Sequence, residues 1–414
     1  MEAYLMVFAV PFFLLLMFIE WGAGKLKGKN LYYFPDTVCN LLLGVGSQAT
    51  GLFVKVMLFF IYDMLYRNFA FFEVPMYWLY GILFLIAFDF VYYWAHRWSH
   101  EMNFLWGAHI VHHQSEEYNL SVALRQPWFH SLLAFFLFVP FAFIGIPTIM
   151  FGAASLFITL YQFWIHTKAI DRLPKWFEFV FNSPTHHRVH HARDPKYIDK
   201  NHAAFLIIWD RIFGTFREEE EEPVYGITKQ FASWNPVWAN FHHYFDMWAL
   251  FKKLDSWKDR LLLPFRGPGW RPESMGGEMA IPEVDKENVQ LFRTPFSKNI
   301  AAYVGVQLLL LIAGLSAYMV YFDSLSLFFK LELFALIVLT TLICGAILEQ
   351  KKWVILMERA RLLIAGISLI FLYKIYFENW YIIMFTSCVV VFIMFNTWLA
   401  LYRYQEYKRT GSMV

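Results

Sequence analysis

Apolar runs of about twenty residues recur along this chain, and no other feature constrains its fold more. A helix needs about 20 consecutive apolar residues to cross the hydrocarbon core of a bilayer. Such runs occupy residues 3–22, 38–64, 75–95, 298–321, 331–348, 362–378 and 380–401. In hydrocarbon each backbone polar group must find its partner within the chain, so these runs predict helices. The expected fold class is therefore all-α, a polytopic integral membrane protein. The charge content agrees: 16% of the residues are charged, against about 25% in a soluble domain. The net charge of +2 is too small to point to a nucleic-acid partner. The first run lacks the basic flank of a signal peptide and reads as a retained helix. Cys39, Cys344 and Cys388 stand in apolar sequence without CxxC spacing, which suits core packing better than a disulfide framework.

Residues 131–165 behave differently. Two short apolar arms, SLLAFFLFVPFAFI and TIMFGAASLFITLYQFW, flank Gly145-Ile146-Pro147, which is turn chemistry. A helical hairpin follows, returning His166 to the side where His96 emerges. Basic residues support that topology, since cytosolic loops carry an excess of Lys and Arg. Lys25, Lys27 and Lys29 follow the first run; Lys351, Lys352, Arg359 and Arg361 lie between later ones; Arg403, Lys408 and Arg409 end the chain. All fall on one side together with 96–130 and 166–297, and that side reads as the cytosol. The chain divides into N-terminal transmembrane helices (1–95), a central region with a membrane hairpin and cytosolic cap (96–297), and a C-terminal helical block (298–414). The run EEEEE at 218–222 reads as a solvated loop, and 233–264 as an interfacial helix.

Histidine placement carries the chemistry. Of 14 histidines, most fall into HRWSH (His96, His100), HIVHH (His109, His112, His113), WIHT (His166) and THHRVHH (His186, His187, His190, His191). Spacings of i, i+3 and i+4 put side chains on one helix face. Neutral imidazole is the commonest metal ligand, and this many suggest two metals. Zinc hydrolysis and a redox-inert, fold-fixing zinc site stay open. A nitrogen-rich site beside acyl chains favours two irons activating dioxygen. Asp89, seven residues before His96, is placed to accept the N–H of a ligating histidine.

The stretches DFVYYWAHRWSHE (89–101), HIVHHQSEEYNLSVALRQ (109–126), LYQFWIHT (160–167), SPTHHRVHH (183–191) and IDKNHAAFLIIWDRIFGTF (198–216) resemble the fatty acid hydroxylase and sterol desaturase superfamily. The likeness is greatest to its ether-lipid branch. It implies a membrane monooxygenase that hydroxylates the ether-linked carbon of an alkylglycerol with dioxygen and tetrahydrobiopterin, giving a fatty aldehyde and a glycerol derivative. Fatty acyl or sterol hydroxylation or desaturation at the same di-iron site is the alternative. Carried over by position, the metal ligands are His96, His100, His109, His112, His113, His187, His190 and His191, with His166 as a ninth. Glu101 matches a glutamate needed for activity. His186 falls outside the ligand set, and His202 stands where an aromatic is usual and reads as packing. His130, His242 and His243 read as surface or headgroup contacts, and Glu116, Glu117, Tyr118, Asn119 and Arg125 as the mouth of the site. Pterin-binding residues cannot be read from spacing. The resemblance implies an endoplasmic reticulum membrane in a eukaryote or the inner membrane in a bacterium.

Overall fold

The computed structural model describes residues 2–376, 391–392, 395–396 and 398–399; Cys388, the basic tail and most of the run at 380–401 lie outside the described residues. Regular structure among the described residues is helical, with two isolated bridges, Phe181 to Leu206 and Ala192 to Tyr225. The chain opens with α1 (Glu2–Leu26), α2 (Phe34–Phe69), α3 (Trp78–Glu101) and α4 (Asn103–His113). Among the described residues, four helices are long and apolar enough to cross a membrane: Phe34–Phe69, Trp78–Glu101, Lys298–Ser324 and Leu327–Leu348. Phe60, Trp78 and Leu83 lie exposed on α2 and α3, as a lipid-facing surface requires.

The hairpin forms, but its arms are unequal. The first breaks into short pieces, ending in α5 (Val139–Ile144), because Pro140 removes a backbone donor and clashes with the preceding turn. The second is a single helix, α6 (Thr148–Trp164). Gly145 turns between them at φ 97°, and an added Cβ would lie 1.9 Å from the Phe72 carbonyl oxygen. Only glycine permits that approach. Tyr62 donates to the Ile146 carbonyl at 3.1 Å and Thr148 to Asp63 at 2.8 Å, fixing the tip against α2. Behind it Phe84, Phe88, Phe138, Phe141 and Phe151 form one buried aromatic cluster. The return delivers His166 beside His112.

Two compact units emerge: residues 8–232 with 238–292, and residues 1–7 with 233–237 and the chain from Arg293 onward. In the second, α7 (Lys298–Tyr321), α8 (Leu327–Leu348) and α9 (Val354–Tyr376) are apolar outside. Leu309, Phe328 and Leu356 are exposed there. The α9 helix starts well before the run expected at 362 and takes in Arg359 and Arg361. Arg361 is thus no loop charge: it is buried, bonding Glu358 at 2.6 and 2.7 Å, Gln307 at 3.0 Å and Thr340 at 3.2 Å. Glu358 also accepts from Tyr303 and Gln307.

A candidate dinuclear metal centre

The site begins where α3 ends. Met102 adopts extended backbone, and the Asn103 side chain bonds the Leu263 and Gly267 carbonyls, so the chain turns sharply into α4. This folds His96 and His100 against His109 and His113. A seven-residue helix, Pro184–His190, brings the third histidine group, with His191 as its C-cap.

The histidines sort into two groups whose nitrogens lie within 4.8 Å of one another: His96, His100, His109, His113 and His190 in one, His112, His166, His187 and His191 in the other. Helical spacing explains the partition. In each H-x-x-H-H box the i and i+4 residues share a face, while the i+3 residue is rotated from it. The box at 109–113 sends its outer pair to the first group and His112 to the second. The box at 187–191 does the reverse, sending its outer pair to the second group and His190 to the first. The groups adjoin where the His113 and His191 rings stack at 4.5 Å.

Hydrogen bonds define the tautomers. His96 Nδ1 meets the His202 carbonyl at 2.7 Å, His190 Nδ1 the Lys200 carbonyl at 3.0 Å, His112 Nδ1 the Arg125 carbonyl at 3.1 Å and His166 Nδ1 the Gln162 carbonyl at 2.6 Å. A carbonyl only accepts, so each Nδ1 carries the proton and each Nε2 presents a lone pair. Yet His112 Nε2 and His166 Nε2 face each other at 3.1 Å. Two lone pairs at that distance repel unless a cation lies between them. Ligands about 2.1 Å from a metal and near right angles stand about 3.0 Å apart. The other facing pairs match: 3.0 Å for His96 and His109, 3.1 Å for His109 and His113, 3.0 Å for His166 and His187, 3.2 Å for His187 and His191. Protonation cannot relieve the contact readily, because burial pulls His112 down to about 4 and drives His109, His113, His187, His190 and His191 well below the usual histidine range. Neutral imidazole is the ligating form, and the donor set fits two metal ions.

The supporting residues differ from the sequence reading. Asp89 receives no histidine: its carboxylate accepts the Phe205 and Leu206 N–H groups at 3.0 Å each and the Trp209 indole at 2.9 Å. Asp210 holds the His202 and Ala203 N–H groups at 2.8 Å. Together they pin a strap whose His202 carbonyl orients His96. Asp199 and Asn201, both at φ 56°, adopt the left-handed conformation in the same strap. Asp and Asn tolerate it better than most residues. Glu101 joins neither group; one residue past His100, it turns to the outer face and pairs with Arg97 at 2.8 Å. Arg125 is not at the mouth but fully buried. It bonds the Val111 carbonyl, Asn40 and Gln114 while its own carbonyl orients His112.

Among the remaining histidines, His186 lies outside both groups, against Ser183 and Phe216. His130 is no surface residue: it bonds Ser99 at 2.9 Å and its ring lies 5.1 Å from that of His109. His242 and His243 are likewise part-buried, the latter on Asn103 at 3.0 Å. The acidic run is only partly solvated. Glu219 grips Arg188 of the third box through two 2.7 Å bonds. Hydropathy could not expose that pairing, since its partner lies 31 residues away.

The fatty acid hydroxylase family model matches residues 81–215. The chain is 37% identical to the alkylglycerol monooxygenase of Homo sapiens over 360 residues, 86% of this chain and 80% of that protein. It is 35% identical to the Danio rerio alkylglycerol monooxygenase over 350 residues, 83% of this chain and 77% of the relative. An ornithine lipid hydroxylase of Rhizobium tropici is 30% identical over 139 residues, 33% of this chain and 41% of that protein. No solved structure matches.

Proposed function

We propose an activity from a plain premise: this chain belongs to the fatty acid hydroxylase family, in the group of the alkylglycerol monooxygenases. It is a membrane monooxygenase that cleaves the ether bond of alkylglycerol lipids. Two irons, held by the five-histidine and four-histidine groups, supply dioxygen activation when bound. One oxygen atom enters the C–H bond beside the ether oxygen and the other leaves as water, with two electrons and two protons from tetrahydrobiopterin. The resulting hemiacetal breaks its C–O bond to give a fatty aldehyde and glycerol.

The protein's own residues hold this chemistry in place. Four backbone carbonyls fix imidazole tautomers, Asp89 and Asp210 pin the strap that carries the His202 carbonyl, and buried Arg125 braces α4 against α2. Glu101 acts from outside the ligand groups. The groups face the cytosol, on the side of Lys25, Lys27 and Lys29, in the endoplasmic reticulum membrane of a eukaryote or the inner membrane of a bacterium.

The observation that carries this reading is the pair of opposed lone pairs on His112 and His166. The test is purified full-length protein, reconstituted with iron and given an alkylglycerol, reduced pterin and dioxygen. Fatty aldehyde is expected, and zinc-loaded protein should yield none. Turnover of a fatty acyl or sterol substrate, with no aldehyde from the ether lipid, would replace this reading.

A further inference from the structure

We propose that a cavity beside the four-histidine group is where the electron donor docks, and that Tyr225 and Tyr118 pass its electrons to the metals. This rests on the proposed function and gives the pterin a place in it. The cavity, of about 410 Å³, lies between the end of α1, the loop after α6 and the acidic run. Small-ligand sites begin at about 300 Å³, so the space suffices. Its wall mixes cations and carboxylates, Lys29 and Lys168 with Asp171 and Glu222, and includes the ring of Tyr225. A pterin edge carries amino and N–H donors beside a carbonyl acceptor, and that lining answers both.

Toward the metals the wall is aromatic. Tyr225 stacks on Tyr118 at 4.8 Å with the planes 16° apart, and Tyr118 on His166 at 5.9 Å and 24°. The Tyr118 ring also lies 5.3 Å from that of His191. Three nearly parallel rings thus run from the cavity to an imidazole of the four-histidine group. Tyr118 donates to the Ile165 carbonyl at 3.1 Å, which holds its ring beside His166. Tyr225 is only 4% exposed, yet its hydroxyl has no partner. Arg188, Glu219 and Glu222, the charges that act on it most, line the same cavity. A tyrosine kept only for packing would do better as phenylalanine, because a buried unpaired hydroxyl costs free energy.

The same wall keeps the lipid substrate's reacting carbon out of this cavity. Reacting atoms must come within about 3–3.5 Å of each other, and two tyrosine rings stand between the cavity and His166. Electrons cross stacked rings without such contact. Lys168 holds its ammonium 4.7 Å from the Tyr225 ring and 2.9 Å from Glu222, so an incoming ligand meets the ring through a flexible side chain. The donor is oxidised by two electrons and gives up two protons. Both go to the dioxygen atom that leaves as water in the proposed reaction, so no further co-reactant is needed.

Two measurements on iron-loaded, full-length protein test this. Binding of oxidised, fluorescent biopterin is followed by polarisation in the parent, in Ala169→Trp, which fills the cavity, and in Asp171→Ala, which alters its exposed rim. Ala169→Trp should weaken binding at least about tenfold, and Asp171→Ala should weaken it less. Anaerobic reduction of the ferric protein is then timed with tetrahydrobiopterin and, separately, with dithionite. Tyr225→Leu should slow reduction by the pterin at least about tenfold and leave that by dithionite unchanged. Tyr225→Phe should fall between, since a phenyl ring keeps the stack but is harder to oxidise. Biopterin binding at the parent's affinity in both cavity variants overturns the docking site. Reduction of Tyr225→Leu at the parent's rate, or equal slowing with both reductants, overturns the electron path. Glycerophosphocholine binding that Ala169→Trp abolishes, with biopterin binding intact, makes the cavity a headgroup site instead. A parent that neither binds biopterin nor is reduced by tetrahydrobiopterin overturns the pterin step of the proposed function, and this inference with it.

Discussion

Two buried polar clusters, one in each compact unit, show what separates a ligand site from a structural network. Around Glu358 and Arg361 the donors and acceptors balance: the carboxylate accepts from Tyr303, Gln307 and Arg361, and the guanidinium also reaches Thr340. Charge meets opposite charge, and the cluster is complete as it stands. Around His112 and His166 the balance fails, because carbonyls hold both Nδ1 protons and leave lone pairs opposed at 3.1 Å. A surplus of acceptors is the mark of a cation-binding site, and the contrast can be attacked from either side.

The largest effect should come from His166→Ala. Three nitrogens remain in its group, so iron content should drop from two per chain to one. Aldehyde formation should fall by more than about 100-fold, the top of the range for a change outside the ligand set. Elemental analysis and the product assay on one preparation decide it; retained turnover would reduce the second histidine group to packing.

Acid should separate the clusters next. The folded metal-free protein holds His112 at about 4, whereas the unfolded chain takes a proton near 6.5. Its neutral form therefore supports folding fully above 6.5, and that contribution is lost as pH falls from 6.5 through about 4. For His112 alone this is on the order of 3 kcal/mol. Thermal unfolding of metal-free protein between pH 7 and 4 should show the decline, and bound iron should blunt it.

These two predictions use residues legible in the sequence, and the reason is geometric. Every ligand-group histidine except His166 sits three or four residues from another, so helix geometry keeps each box together while His112 and His190 turn toward the neighbouring group. Span length likewise predicted an all-α membrane fold, and Gly145-Ile146-Pro147 the return of His166. What spacing hid was long-range pairing. Asp89 is 116 residues from the Phe205 N–H it accepts, Arg125 is 85 from Asn40, and Glu219 is 31 from Arg188. A lone Asp in a span announces that it needs a partner without naming one. Arg361 misled as a loop charge because periodicity cannot tell a snorkelling Arg from one with a buried carboxylate three residues before it.

The balanced cluster should respond to Glu358→Leu through stability alone. Removing the carboxylate strands Arg361 in an apolar interior, which costs about 3–5 kcal/mol. The double change Glu358→Leu with Arg361→Leu should recover much of that loss, since neither charge then stays unpaired. Iron content below the unfolding temperature should match the parent in both. Iron loss in the single variant would mean that this network serves the metal centre after all.

Asp89→Asn should cost less stability than Glu358→Leu, and it sharpens the boundary of the ligand site. The amide keeps one acceptor oxygen but turns a donor toward the N–H groups of Phe205 and Leu206, so at least one of three bonds is lost. About 1–3 kcal/mol of stability goes with it. The strap nearer the metals keeps its own anchor, because Asp210 holds the His202 and Ala203 N–H groups and the His202 carbonyl stays on His96. Iron release should therefore quicken by less than about tenfold, below the 10–100-fold expected if the carboxylate received a ligating imidazole directly. Thermal unfolding and chelator challenge on the same variant separate the two cases. Faster release than that, with stability intact, would put Asp89 back beside a metal ligand, where its position seven residues before His96 first suggested it.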